Sequence, residues 1–419
     1  MPAGGVRAYE LAKALQPHAD VTLAVRGDTA PDLDVRCVTY SAGSPRELAP
    51  TVVAADAIVA LPPWPPLMRL LARSRARLVF DMSDPQLFPT LLGFQGRKRE
   101  LLAAMSIDRP MQAFRIGHHF TVGNERQRDL WIGALIAERL LQPELFDRDP
   151  SLRSVIDTVS TGIPSAPPRR TSAGGPRERF PQIQPEDKIV LWNGGLWDWF
   201  DGETAVRAVG LLAERRPGVR LIFMSATRHA YDKRATADAR SLAAQLGILD
   251  RNVLFNDDWV PYKDIANWLL DADVGLATHV DHLETRYATR NRMLDCYWAG
   301  LPIVVTRGVE LADRIEREDL GATVPERDEH ALAAALERVL DRGRDAYADR
   351  LARAAADHAW PVTAEPLIRY VTSSEPPRRL REDLGSRLVT RPSQHLRTAA
   401  YRAGRFALNA LGKTRRPAL

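Results

Sequence analysis

The chain has 419 residues, 45% of them apolar and 26% charged, with a net charge of +5. That describes a soluble globular protein long enough for two domains, and the charge is too small for this length to indicate nucleic acid. Two cysteines, Cys37 and Cys296, exclude a disulfide framework. No apolar run approaches the roughly 20 residues needed to cross a bilayer, and no signal peptide is visible, so a cytoplasmic protein is expected, at most peripheral on a membrane face.

The chain opens on Gly4-Gly5, which runs straight into a helical pattern at Tyr9, Leu11, Ala12 and Leu15, then a strand at 21–25. A Gly-Gly turn opening a helix normally follows a strand in a doubly wound sheet. That strand is absent, so the natural start is expected upstream of Met1. Strands follow at 56–61 and 77–81, the second ending in Asp81-Met82-Ser83-Asp84. Two carboxylates then stand at a strand's carboxyl end, where ligands bind in such sheets. Further strands are expected at 120–124, with Asn124 capping the next helix, and at 155–160.

Residues 164–187 hold six prolines, a Gly-Gly pair and several arginines, the composition of a linker. From Lys188 a second alternating series begins, with strands at 188–192, 220–224, 252–255, 274–277 and 303–306 and helices at 331–340 and about 347–358. The expected organisation is α/β: two doubly wound, Rossmann-like domains facing a cleft, 1–165 and 188–375, with linker 166–187 and tail 376–419. From Arg378 onward the tail has eleven Lys or Arg against two acids, with helical apolar patches. A basic amphipathic helix of that kind lies on anionic membrane, though a solvated disordered tail fits the same residues.

The segment 283–306 is the strongest chemical signal. Glu284, Thr285, Arg286, Arg290 and Arg292 precede a helical run carrying Asp295, which breaks at Ala299-Gly300-Leu301-Pro302 before a β-branched strand. A helix that begins among arginines and hydroxyls at a sheet's carboxyl edge suits a phosphate-bearing ligand. A merely solvated charged face gives the same spacing. Gly194-Gly195 follows the first strand of the second series, where glycines let backbone N–H groups approach a diphosphate. Trp197, Asp198, Trp199 and Asp201 occupy the same loop; its indoles either meet ligand or anchor the loop to the core. Three Asp-x-Asp matches (Asp32/Asp34, Asp147/Asp149, Asp271/Asp273) and the pair His279/His282 have no complete ligand set, so no metal is expected.

Together these pieces resemble the family 4 glycosyltransferases of GT-B architecture over residues 1 to about 375. Gly4-Gly5 is similar to that family's glycine loop near the acceptor. The run 294–304 is similar to its signature segment, and 255–262, with Trp259 and Val260, falls where its nucleobase-contacting loop does. The chain departs in three places, one being that no histidine stands just after the 77–81 strand, where some members have one. Of the family's two glutamates seven residues apart, the second position is Asp295 and the first is Tyr287, with Glu284 nearby as a substitute. The Arg and Lys after the Gly-Gly strand are also missing, leaving Arg286, Arg290 or Arg292 to supply their charge.

The resemblance implies metal-free transfer of a sugar, with retention, from a nucleotide-sugar to a glycan or lipid-linked acceptor in cell-envelope or glycoconjugate synthesis. It implies donor binding by Gly194, Gly195, Trp197, Asp198, Trp259, Val260, Thr285, Arg286, Arg292 and Asp295. Asp81, Asp84, Glu284 and Arg290 would serve catalysis, and Gly4 and Gly5 the acceptor side. Alternatives are a nucleotide-sugar epimerase or a non-catalytic scaffold of the same fold.

Overall fold

The computed structural model of the chain describes residues 3–27, 33–41, 44–225 and 233–380. Residues 8–160 with 364–380 form one compact unit, and residues 3–7 with 161–363 form another.

Helix Ala3–Leu15 carries Gly4 and Gly5 in its first turn, which groups with the second unit, and from Ala8 onward it opens the first; among the described residues no strand precedes it. Strands β1 (Thr22–Arg26) and β2 (Arg36–Tyr40) pair in parallel as a two-stranded sheet. A separate four-stranded parallel sheet runs in chain order: β3 (Ala57–Ala60), β4 (Arg77–Asp81), β5 (His119–Val122) and β6 (Ile156–Thr158). Leu78, Phe80, Phe114, Phe120, Leu135 and Ile156 pack its core, which is why β4 and β5 read as continuous apolar runs. Asn124 caps the helix Glu125–Ala137 by accepting from the Gln127 N–H, as its position just ahead of the helical pattern predicts.

The second unit is a six-stranded parallel sheet of β7 (Lys188–Gly195), β8 (Val219–Ser225), β9 (Val253–Phe255), β10 (Val274–Ala277), β11 (Ile303–Thr306) and β12 (Gly321–Val324). Its order is β12-β11-β10-β7-β8-β9, so the direction of winding reverses between β7 and β10. Both faces of the central strands are covered by helices, and Ile189, Val190, Leu191, Leu221, Ile222, Val304 and Val305 are inaccessible to solvent.

Two boundaries differ from expectation. The proline-rich stretch 166–187 is not a free linker. The Thr171 N–H and hydroxyl bond to Asn267 and Asp264, and Arg170 pairs with Asp271. Gly175 lies so close to helix Ile265–Asp271 that a Cβ there would sit 2.5 Å from Asp271 Oδ2. Prolines and glycines therefore serve close packing here rather than reach. Nor does the second unit run to 375. Helix Glu365–Thr372 belongs to the first unit, where Tyr370 stacks on His119 at 4.1 Å and Arg77 donates to the Ser373 and Glu375 carbonyls. The helical patches expected from Leu396 onward lie outside the described residues.

Candidate active site

The site in the second unit is built where its sheet reverses, at the carboxyl ends of β7 and β10. That is the crevice in which ligands bind to open parallel sheets. β7 ends in Asn193-Gly194-Gly195, with an irregularity in its pairing between Trp192 and Gly195. Gly194 has φ +100°, a conformation that glycine adopts without strain.

The helical run carrying Asp295 is Asn291–Trp298, and the polar residues before it form a second, shorter helix, Leu283–Tyr287, with a break at 288–290. An ion pair across the break explains it. Arg290 turns back to grip Glu284 with both terminal nitrogens, at 2.8 and 2.6 Å, and both side chains are buried. Arg290 Nη2 also donates to Thr285 Oγ1, whose own hydroxyl donates to the Val280 carbonyl. The His282 Nδ1 accepts from the Thr285 N–H and caps the shorter helix, so the remaining proton of its ring is on Nε2.

Arg292 reaches across to β7. Its Nη2 donates to the Gly195 carbonyl at 2.8 Å and lies 3.6 Å from where a Cβ on Gly194 would stand. Both guanidinium groups rest on the Phe200 ring, Arg290 at 4.8 Å and Arg292 at 4.5 Å from its centroid. Asn193 ties the other side together, donating to Asp295 Oδ2 and to the Arg292 carbonyl.

The electrostatics are short of negative charge. Glu284 balances Arg290. Burial drives Asp295 up to about 7, against the opposing pull of Arg292 and Asn193. Burial and the neighbouring Arg290 bring Arg292 down to about 9. His279, buried and facing the same cations, falls to about 3 and stays neutral, its Nε2 donating to the Arg307 carbonyl. Three donors remain buried without a hydrogen-bond partner among the described residues: Arg292 Nη1, Arg290 Nε and His282 Nε2. Buried polar groups are nearly always satisfied, and of these orphaned donors Arg292 Nη1 belongs to the guanidinium that bonds Gly195, which makes the Gly-Gly turn a place for an anion.

The rest of the loop after β7 is anchored. Trp197 and Trp199 stack nearly parallel at 5.4 Å, and both are half-buried. Asp198 accepts from the Ala235 N–H, and Asp201 caps the helix Gly202–Ala213. Arg286 is exposed on the short helix. Further along the sheet edge, Trp259 is 39% exposed and Val260 buried; both line a cavity of about 310 Å³ with Arg179, Asn256, Asp258 and Trp268.

In the first unit, Asp81 ends β4 almost fully buried, accepting from Thr121 Oγ1 and the Ser83 N–H. Asp84 is exposed and accepts from Gln86. The Asp-x-Asp matches are accounted for by local bonding: Asp149 binds Ser151 and Ser154, Asp271 pairs with Arg170, and Asp273 with Lys188. Asp32 lies outside the described residues. Among the described residues no three potential ligands cluster as a metal would require.

Sequence reasoning did not assign roles to Asn193, Phe200 or His282. The only signal was place: an amide at a strand end before Gly-Gly, a ring in a loop facing arginines, a histidine at a helix cap.

Residues 187–342 match the family model for glycosyl transferases group 1. A search of curated protein sequences found no match. Among solved structures, the chain is similar to WaaG, a glycosyltransferase involved in lipopolysaccharide biosynthesis, at 17% identity and TM-score 0.58, covering 87% of this chain and 95% of that one. It is similar to Anabaena Alr3699/HepE in complex with UDP and glucose, at 15% identity and TM-score 0.62, covering 89% and 96%. Sucrose-phosphate synthase from Thermosynechococcus elongatus gives 15% identity and TM-score 0.56 over 87% and 92%. The chain is therefore a glycosyltransferase, with a group 1 glycosyl transferase domain at residues 187–342 and the GT-B fold.

Proposed function

We propose that this enzyme is a family 4 transferase that moves a sugar, with retention, from a nucleotide-sugar to a glycan or lipid-linked acceptor at the cytoplasmic face of the cell envelope. The observation that carries the donor half is the orphaned, buried Arg292 Nη1 beside Gly194-Gly195, on a guanidinium that shares the Phe200 ring with Arg290. A donor diphosphate would satisfy it and supply the negative charge the site lacks. The relative solved with UDP and glucose supports a uridine nucleotide as the first donor to test.

In this reading Arg292 takes over the charge that the family carries on the loop after the Gly-Gly strand, here the loop Trp197-Asp198-Trp199-Phe200-Asp201. The acceptor oxygen bonds to the anomeric carbon as the bond from that carbon to the phosphate oxygen breaks. The acceptor's proton passes to the departing phosphate on the same face. Preorganised N–H donors stabilise the charge that grows there, so the reading requires no metal. Asp295 would hold the ribose hydroxyls, and Trp259 and Val260 the base. Asp81 and Asp84 would orient the acceptor. Glu284 acts through Arg290, since both of its oxygens are engaged.

The test is a thermal-shift panel of UDP, GDP, ADP and dTDP, because a ligand that binds only the folded state raises the melting temperature by mass action. One nucleotide should stabilise the protein, and Arg292→Ala should abolish the shift. No shift with any nucleotide would overturn the donor site. Conversion of the donor sugar without any acceptor would overturn transfer in favour of epimerisation.

A further inference from the structure

The fixings of the Arg292 side chain are few. Nη2 makes its one hydrogen bond among the described residues, to the Gly195 carbonyl at 2.8 Å. No carboxylate hydrogen-bonds to it, and Asp295 and Glu284 act on it only from a distance. Arg290 differs, since Glu284 grips both of its terminal nitrogens. A single hydrogen bond leaves a guanidinium free to swing about the bonded nitrogen. A swinging Nη1 is not a preorganised donor, because a ligand must first order it.

Two rings remove that freedom. The Arg292 guanidinium carbon lies 4.5 Å from the Phe200 centroid and 5.2 Å from the Trp192 centroid. The rings stand 5.8 Å apart and inclined at 66°, so they meet the group as the two walls of a corner. Ring faces attract a cation without cancelling its charge, whereas a carboxylate in the same place would repel an incoming diphosphate.

Both walls are fixed. Trp192 is fully buried within β7. Phe200 is held by its backbone: its N–H donates to the Trp197 carbonyl at 2.9 Å, and it pairs with His279 as an antiparallel bridge. The next N–H, of Asp201, donates to the Thr278 carbonyl at 3.1 Å, and the Phe200 ring packs partly on the core of the second unit. Gly194 keeps the approach open, since even a Cβ there would stand 3.6 Å from Arg292 Nη2.

We propose that Phe200 is a positioning residue for the donor: with Trp192 it clamps the Arg292 guanidinium, so that a charged, unspent Nη1 is held at the Gly-Gly turn. The clamp rests on the diphosphate reading of the proposed function.

The experiment is calorimetric titration of the full chain with inorganic pyrophosphate. Phe200→Leu should weaken binding by about tenfold, because the ligand then has to order one long side chain. Phe200→Met, closer in volume, should lose as much and guards against a failure to fold. Phe200→Tyr, which keeps the ring, should bind like the parent. A readout that mere support of the loop would not move comes from chemical rescue. In Arg292→Ala, millimolar guanidinium ion should occupy the corner and restore pyrophosphate binding, and adding Phe200→Leu should remove that rescue. Undiminished affinity in Phe200→Leu would overturn the clamp and leave the diphosphate site standing. So would a loss in Phe200→Tyr as large as in Phe200→Leu, or a rescue that survives Phe200→Leu. A parent that binds neither pyrophosphate nor any of the four nucleotides would overturn the diphosphate reading, and the clamp with it.

Discussion

Replacing Glu284 with alanine leaves the Arg290 guanidinium buried with one hydroxyl, Thr285 Oγ1, and the face of Phe200 for company. The pair is bidentate and both side chains are under 10% exposed, so solvent screens it little. Breaking such a pair from one side costs about 3–5 kcal/mol, whereas an exposed pair of the same charges is worth about 1 kcal/mol or less. The ring contact with Phe200 offsets part of the loss, on the order of 1 kcal/mol. Glu284→Ala should therefore destabilise the second unit by about 3 kcal/mol, near the lower end of that range. Replacing both partners together, Glu284→Leu with Arg290→Met, removes the buried charge and should recover most of that loss. Urea unfolding followed by tryptophan fluorescence reads the difference, since Trp192 packs on Phe200 at 5.8 Å. A single-variant loss below about 1 kcal/mol, or a double variant no better than the single, would refute the view that this pair is a desolvated brace across the helix break.

Gly275→Ala would place a Cβ 2.5 Å from Cys296 Sγ and should cost about 1–3 kcal/mol by overpacking; Cys296→Ala in the same chain should restore the melting temperature. His118 and His119 are held neutral by burial, each at about 4. With folded values below the unfolded 6.5, their contribution is present above 6.5 and is lost as pH falls through 4. The first unit's melting temperature should therefore drop between neutral pH and pH 4, and His118→Asn, which keeps an acceptor for the Leu78 N–H, should flatten that slope. Asp295 has the opposite sign. Its value, raised from 3.8 to about 7, gives a contribution present below 3.8 and lost as pH rises through 7, so Asp295→Asn should hold the second unit's stability level between 3.8 and 7 where the parent declines.

What was legible in the sequence follows from where each element sits. Central strands such as β4, β7 and β11 are buried on both faces and announce themselves as apolar runs. The two strands that went unseen, β2 and β12, are edge strands with half-exposed side chains, one beginning at Arg36 and the other at Gly321. At their edge positions there is no second apolar face to leave a pattern. The site was legible as composition, a cluster of arginines and glycines, but the division of labour among the arginines was not. Arg286, Arg290 and Arg292 have equal standing on spacing alone. Only the fold reveals that both terminal nitrogens of Arg290 are held by Glu284, that Arg286 faces solvent, and that Arg292 crosses to Gly195 with Nη1 left over. The position of that free donor depends on β7 and β10 being neighbours in the sheet, although 78 residues lie between Gly195, the last of β7, and Val274, the first of β10. A residue's role is fixed by its partner's place in the sheet as much as by its own chemistry. The guanidinium that meets the Gly-Gly turn at the end of β7 comes from the head of a different helix, Asn291–Trp298.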